Sequence, residues 1–393
     1  MRQHDRESAT FLHTYKRLPL EIDRGEGMDL IASDGTRYLD LFAGIAVNAL
    51  GHAHPAVLRA IEGQARRYVH VSNYFLQEPQ IALAELLLRH SGYARVFFAN
   101  SGTEAIEGAI KIARRWGSLR GKHELVSFSN AFHGRTMGAL SLMDRPNYRN
   151  GFGPFLDHCA VAEFNNIESL RAAVTPATAA VILEFIQGEG GIRPVSPAFV
   201  AALRELQSSH GFLVIADEIQ SGIGRTGRFL GFQHYDVSPD LVTLAKPIGG
   251  GLPLGAILAT EEVSSVIEPG MHGTTFGGNP VACAAGAAVV REVMEGGLMS
   301  NAATMGRYLQ ERLQEIRRDF PHLVRDVRGF GLMVGMELAV EGDPIVAELR
   351  NSEQILLNCT DKTVLRFVPP LIIAKAEIDR ACAALRRVFK SLP

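Results

Sequence analysis

Apolar, partly β-branched residues gather into short uninterrupted runs at 95–99, 125–129, 180–185, 212–216 and 241–245. Runs of that length without alternation predict strands buried on both faces. Between them, 79–88, 104–116 and 198–209 carry apolar residues at helical period. Strand, helix, strand in repetition predicts βαβ crossovers and a mostly parallel sheet, an α/β fold. From about residue 281 the chain turns Ala-rich and helical to about 320. An α/β tail follows, with strands near 331–338 and 364–367 and a closing helix from about Lys375. Residues 1–27 read as an arm lying on something larger. Residues 28–40 read as a hairpin turning at Asp34-Gly35. The expected division is an arm and part of a small domain over 1–50, a large domain over 51–285 and the rest of the small domain over 286–393.

A chain of 393 residues is long enough for that two-domain plan. Lys and Arg number 40 against 42 Asp and Glu, a net charge of −2 with no block of one sign. No electrostatic footprint for nucleic acid or an anionic membrane is present, which leaves small molecules as the expected partners. Cys159, Cys283, Cys359 and Cys382 form no C-x-x-C pair, so neither a metal site nor a disulfide framework is expected. The first residues are polar and no apolar run nears the roughly 18 residues of a span, which points to a soluble cytoplasmic protein.

Two of the apolar runs stop at charged residues, one at Asp217 and one at Lys246. Both groups therefore arrive at the carboxyl edge of the sheet, where open α/β folds bind ligands. An amine that can lose its proton and a carboxylate that can hold a protonated pyridine nitrogen are the two groups pyridoxal phosphate most needs. Asn100-Ser101-Gly102-Thr103-Glu104 follows another strand and opens a helix. It is a helix cap taken alone, and a phosphate seat beside Asp217 and Lys246. Phe132 and Arg135 follow a third strand. Phe132 is a stacking ring or ordinary core; Arg135 is a carboxylate fork or a surface ion pair. Glu189 follows a fourth. Arg366 interrupts an apolar run, so an anion must meet it, whether a ligand or a structural partner. Gly222-Ile223-Gly224-Arg225-Thr226-Gly227 fits the dinucleotide pattern but runs into no helix, so its context fails.

These stretches, with residues 39–48, Asp217-Glu218-Ile219-Gln220 and Gly273-Thr274-Thr275-Phe276-Gly277-Gly278-Asn279-Pro280, resemble the class III, ornithine-type aminotransferases of the aspartate aminotransferase fold (fold type I). Within that family the likeness is greatest to the members that act on acetylornithine. The resemblance implies that Lys246 is the Schiff-base lysine and proton shuttle, that Asp217 pairs with the pyridine N–H, and that Gln220 reaches the ring hydroxyl. It implies that Phe132 stacks on the ring, that Ser101, Gly102 and Thr103 hold the phosphate, and that Thr275 crosses to the same phosphate in a partner subunit of a homodimer. Tyr15, Ile45, Arg135 and Thr274 match substrate contacts. Glu189 and Arg366 match a switch pair, the arginine taking a carboxylate of glutamate or 2-oxoglutarate and the glutamate neutralising it otherwise. Family members that use free ornithine carry a tyrosine where this chain has Ile45. Pro247-Ile248 after the lysine, and Phe185-Ile186 after Glu184, depart from the family's usual residues without removing a functional group.

The implied reaction moves the terminal amine of N2-acetyl-L-ornithine to 2-oxoglutarate. Other ω-amine donors, among them succinylornithine, ornithine, 4-aminobutyrate and a carrier-linked lysine, share the same pocket chemistry. A racemase or decarboxylase on this scaffold would not need the Glu189 and Arg366 switch. A binding protein without turnover would not need the full catalytic set.

Overall fold

The five predicted apolar runs are strands of one seven-stranded sheet in the computed structural model, which describes residues 3–392. In spatial order its strands are Arg95–Ala99, Gly255–Ala259, Leu241–Leu244, Leu213–Asp217, Thr178–Leu183, Glu124–Phe128 and Cys159–Ala162. Only Gly255–Ala259 runs against the rest, pairing antiparallel on both sides. The interior strands Thr178–Leu183, Leu213–Asp217 and Leu241–Leu244 are buried at every position, which is why they read as unbroken apolar runs.

Helix Gly102–Ser118 covers one face. Ser101 caps it, its side chain accepting the Glu104 N–H, and the acid of Glu104 suits the positive end of the helix. Ala105, Ile106, Ala109, Ile110, Ala113 and Trp116 recur at three and four residues and form its buried stripe. Each buried isoleucine there contributes about 1.5–3 kcal/mol. Helix Pro280–Met294 packs on helices Pro55–Ala65 and Glu78–Ser91 and on the turn at Lys246. Its Gly286 is needed for that approach, since a Cβ there would come within 2.3 Å of the Ile248 carbonyl.

Two four-stranded sheets stand apart, and Ile186–Gln187 pairs with Arg193–Pro194 in a small two-stranded one. Of the four-stranded sheets, one orders Ile22–Glu26, Asp29–Ala32, Arg37–Asp40 and Ile355–Leu356; the other orders Val324–Phe330, Met333–Leu338, Val364–Phe367 and Asn358–Thr360. The first takes in the end of the stretch read as an arm over 1–27. Residues 3–10 are helical, and Ile22–Glu26 is an edge strand whose polar sequence reflects its exposed face. The hairpin at Asp34-Gly35 forms as expected, closed by the Thr36 N–H on Asp34. The helical stretch after 281 is two helices, Pro280–Met294 and Leu298–Asp319, broken at Gly296-Gly297. The G-x-G-x-x-G segment is a turn. A Cβ at Gly224 would meet Val293 at 2.6 Å and one at Gly227 would meet Ala303 at 2.8 Å, so these glycines allow close packing against helices 280–294 and 298–319.

Candidate active site

Asp217 ends its strand in register with Thr243, and Lys246 follows the neighbouring strand after one residue. The lysine opens a tight turn with φ of 49°, a left-handed conformation unfavourable for a side chain with a Cβ. Burial, the largest influence, pulls its amine below the ordinary range; Arg366 adds to that, while Glu189, Asp217 and Glu184 oppose it.

Asp217 is held from three directions. Its Oδ2 lies 2.7 Å from His133 Nδ1, and its Oδ1 accepts the Ile219 N–H at 3.1 Å and the Thr243 hydroxyl at 3.5 Å. His133 is fully buried, which disfavours its charged form, yet the bond to Asp217 and the charges of Asp217 and Glu184 prevail and raise it above its ordinary value. Glu184 is pushed up, first by burial and then by Asp217. It accepts the Phe132 N–H at 3.0 Å and the Gly188 N–H at 2.9 Å, tying two site loops to one carboxyl.

Helix Gly102–Ser118 opens toward this edge, and its first turn leaves the Gly102 and Thr103 N–H groups without helical partners. A Cβ at Gly102 would press on Ile219 at 2.9 Å. The Thr103 hydroxyl meets that of Thr136 at 2.7 Å and accepts the Arg135 N–H at 3.2 Å. Phe132 is half-buried, edge-on to Tyr148 at 5.6 Å, and the exposed Arg135 guanidinium lies 4.0 Å from the Tyr148 ring centre.

Arg366 sits in an inner strand of its four-stranded sheet between Gly335 and Asn358 and is 1 % exposed. Its Nη1 donates to Glu189 Oε1 at 2.5 Å and to Gln220 Oε1 at 3.3 Å, and its Nε to Asn358 at 3.1 Å. Burial alone would raise Glu189, but Arg366, then Lys246 and Arg145, hold it below the usual carboxylate range. The Glu189 side chain keeps 22 % of its surface exposed, whereas that of the arginine is closed in.

Ile45 lies in an unusual turn. Ala43, Gly44, Ile45 and Ala46 have φ of 51°, 62°, 63° and 62°, one left-handed turn packed against the turn of Lys246. Such a conformation costs about 1–2 kcal/mol for each residue with a Cβ and is rare for a β-branched one. Asp40 holds it, accepting the N–H groups of Phe42 and Ala43 at 2.9 and 2.8 Å, and His52 binds the other carboxylate oxygen at 2.8 Å. Ala46 enters the small apolar cluster of Ile186, Ile192, Met333 and Val368, whereas Ile45 is half-buried.

Lys246, Asp217, Gln220, Glu189 and Arg366 are thus brought together, as are Thr103, Phe132 and Arg135. Tyr15 is 75 % exposed beside Arg17, and Thr275 is exposed on a surface loop. Thr274 accepts Asn100 Nδ2 at 3.1 Å and the Gly277 N–H at 3.2 Å. Gln220, expected on a cofactor hydroxyl, bonds Arg366 here. His133, Glu184 and Asn358 escaped the sequence reading. Glu184 obeys the rule that exposed Asp217 and Lys246, a charge closing an apolar run, but Phe185-Ile186 prolongs the run and hides it.

An α/β sheet that delivers a buried amine, a clamped carboxylate and a helix N-terminus to one edge defines an enzyme of the fold-type I class, aminotransferase-like. The chain matches the family description Aminotransferase class-III over residues 10–389, and it belongs to that family. It is similar to the acetylornithine aminotransferase of Caldanaerobacter subterraneus, 45 % identical over 98 % of each chain. Among solved structures it is similar to the ornithine aminotransferase of Toxoplasma gondii (TM-score 0.94, 31 % identity, covering 99 % of this chain and 94 % of that one). It is also similar to the N-acetylornithine aminotransferase of Stenotrophomonas maltophilia (TM-score 0.83, 34 % identity, 96 % and 97 %). The chain is a transaminase. Among the described residues no helix is long and apolar enough to cross a membrane.

Proposed function

We propose that the protein transfers the terminal amine of N2-acetyl-L-ornithine to 2-oxoglutarate, giving N-acetyl-L-glutamate 5-semialdehyde and L-glutamate, a step of arginine biosynthesis, in the cytoplasm and as a homodimer. The donor set of this chain fits pyridoxal 5′-phosphate. Asp217, backed by His133, would hold the pyridine N–H, Gly102 and Thr103 the phosphate, Phe132 the ring face and Lys246 the aldehyde carbon. Bound there, the cofactor supplies an electron sink for the carbon that loses its proton. Lys246, its proton affinity lowered by burial, takes that proton and returns it one step later. His133 keeps Asp217 oriented, and the carboxylate so placed would favour a protonated ring nitrogen.

The observation that carries this reading is the Glu189 and Arg366 pair beside Lys246. Two unlike substrates must use one pocket, and only the keto acid carries a carboxylate on the reacting carbon itself, where the arginine can take it. With 2-oxoglutarate present Glu189 swings out; with the acetylated donor it stays and neutralises the buried charge. A racemase or decarboxylase has no use for such a partner.

The choice of donor rests on the names of the relatives and on Ile45, whose strained, half-buried placement beside the Lys246 turn favours a wall residue over core. An isoleucine gives a free α-ammonium nothing to bond, while an acetyl group presents a methyl and a neutral amide. A donor panel with 2-oxoglutarate tests this. Acetylornithine should exceed ornithine by at least about tenfold in kcat/KM, and Ile45→Tyr should narrow the gap. A preference for free ornithine, or a ratio that Ile45→Tyr leaves unmoved, would place specificity elsewhere.

The dimer is supported by one strip of surface. Val69, Tyr74, Phe75, Leu76 and Phe276 are exposed together, Tyr74 and Leu76 at 96 % and 95 %, and the loop bearing Thr275 lies among them. Apolar groups gathered this way mark an interface, and a second copy seated there would receive Thr275.

A further inference from the structure

Loop 274–279 is fastened far more firmly than an exposed loop needs to be. Asn73 Nδ2 donates to the carbonyls of Thr274 and Gly277, both at 3.1 Å, and so straddles Thr275 and Phe276. Gln80 Nε2 donates to Asn73 Oδ1 and to the Gly278 carbonyl, both at 2.7 Å. Asn279 Nδ2 reaches the Val69 carbonyl at 2.9 Å. From the other side Asn100, itself bound to Glu104, donates to the Thr274 hydroxyl at 3.1 Å. The two glycines permit this closeness. A Cβ at Gly277 would lie 2.2 Å from Thr274, and one at Gly278, where φ is 75°, would lie 2.6 Å from Gln80. Within this frame the Thr275 hydroxyl has no hydrogen-bond partner among the described residues, while its neighbours on both sides are pinned.

We propose that Asn73 and Gln80 are positioning residues for the neighbouring subunit's cofactor phosphate, acting through Thr275. The proposal rests on the shared-site reading given above. A hydroxyl that must bond an anion across an interface gains affinity when its backbone is fixed beforehand, because no loop has to be ordered on binding. Asn73 is exposed in the single chain, but Tyr74, Phe75 and Leu76 follow it directly. A partner covering them excludes water from the Asn73 and Gln80 bonds and stiffens the frame at the moment the phosphate is shared.

The test titrates apoenzyme with pyridoxal 5′-phosphate and, separately, with pyridoxal, by absorbance, alongside sedimentation. The proteins are wild type, Asn73→Asp, Gln80→Ala, Thr275→Ala and the double variant Asn73→Asp with Thr275→Ala. Asn73→Asp keeps the shape of an exposed side chain and removes both donated bonds, and a melting curve confirms that each variant is folded. The expected result is about a tenfold weaker Kd for pyridoxal phosphate in Asn73→Asp and in Gln80→Ala, with pyridoxal affinity unmoved. The double variant should bind no more weakly than Thr275→Ala alone, since one route carries both effects. A merely structural role would weaken both ligands alike, and that result overturns the proposal. Dimers in which Thr275→Ala weakens the phosphate but Asn73→Asp and Gln80→Ala do not would overturn it while sparing the shared site. A monomeric wild type, or a Thr275→Ala protein that binds normally, removes the shared site and the proposal with it.

Discussion

At Arg366 a single guanidinium serves two purposes, and its removal separates them. Its bonds to Glu189, Gln220 and Asn358 leave it oriented, with one partner that reaches the surface. In Arg366→Ala the half-reaction of 2-oxoglutarate and glutamate should lose roughly 1.5–3 kcal/mol, about one to two orders of magnitude in kcat/KM. The half-reaction of the acetylated donor should lose much less, and single-turnover measurements on each half distinguish the two. Equal losses would make the arginine structural. Without Arg366, burial is left as the main influence on Glu189, so its carboxyl rises and the donor half-reaction should shift its pH profile upward. The sequence displayed Arg366 only as a charge inside an apolar run. Its pairing with Glu189 followed from the family resemblance alone, because Glu189 lies in a glycine-rich loop whose path only the fold sets.

Among the elements, the segment after the Asp217 strand depends on a second buried acid. Glu218 accepts the Ser221 hydroxyl at 2.6 Å and the Gly231 and Phe232 N–H groups at 2.7 Å each, closing the loop that carries Gln220. Burial outweighs those bonds and pushes its carboxyl up to about 7. Raised above its unfolded value near 4.5, Glu218 contributes stability that is complete below pH 4.5 and is lost as pH rises to about 7. The span corresponds to about 3 kcal/mol. Denaturation of Glu218→Gln should therefore show a flatter fall in stability across that window than wild type, and parallel curves would contradict the assignment. Strands buried on both faces were legible as apolar runs. Cys159–Ala162 was not, being a four-residue edge strand half open to solvent, and Gly255–Ala259 hides behind small residues. The helix N-terminus at Ser101 was legible from its cap. His133 was not, since a histidine beside a glycine carries no period, and only the fold sets its ring on Asp217.

On the scale of the whole molecule the shared site makes a quantitative demand. If Thr275 completes the partner's cradle, a dimer of one Lys246→Ala chain and one Thr275→Ala chain holds both defects in one site and none in the other. Random mixing of the two inactive proteins should recover up to about a quarter of wild-type activity. Activity that stays at the average of the parents would show that each chain serves its own site.

The sheet's strand order also bears on how the protein is made. Arg95–Ala99, the first of the seven to leave the ribosome, lies at one edge and, among the described residues, pairs only with Gly255–Ala259, the last. The cradle that follows it at Ser101 touches the start of that last strand so closely that a Cβ at Gly255 would lie 2.4 Å from the Ser101 carbonyl. A nascent chain can pair its middle strands as they emerge, but the first strand must wait through about 150 residues of synthesis, roughly 8–30 seconds at ordinary elongation rates. Until then its edge is open and the phosphate seat has no back wall. Cofactor capture therefore belongs to the finished chain and cannot guide the early steps of its folding, and the waiting edge is where a chaperone has most to protect.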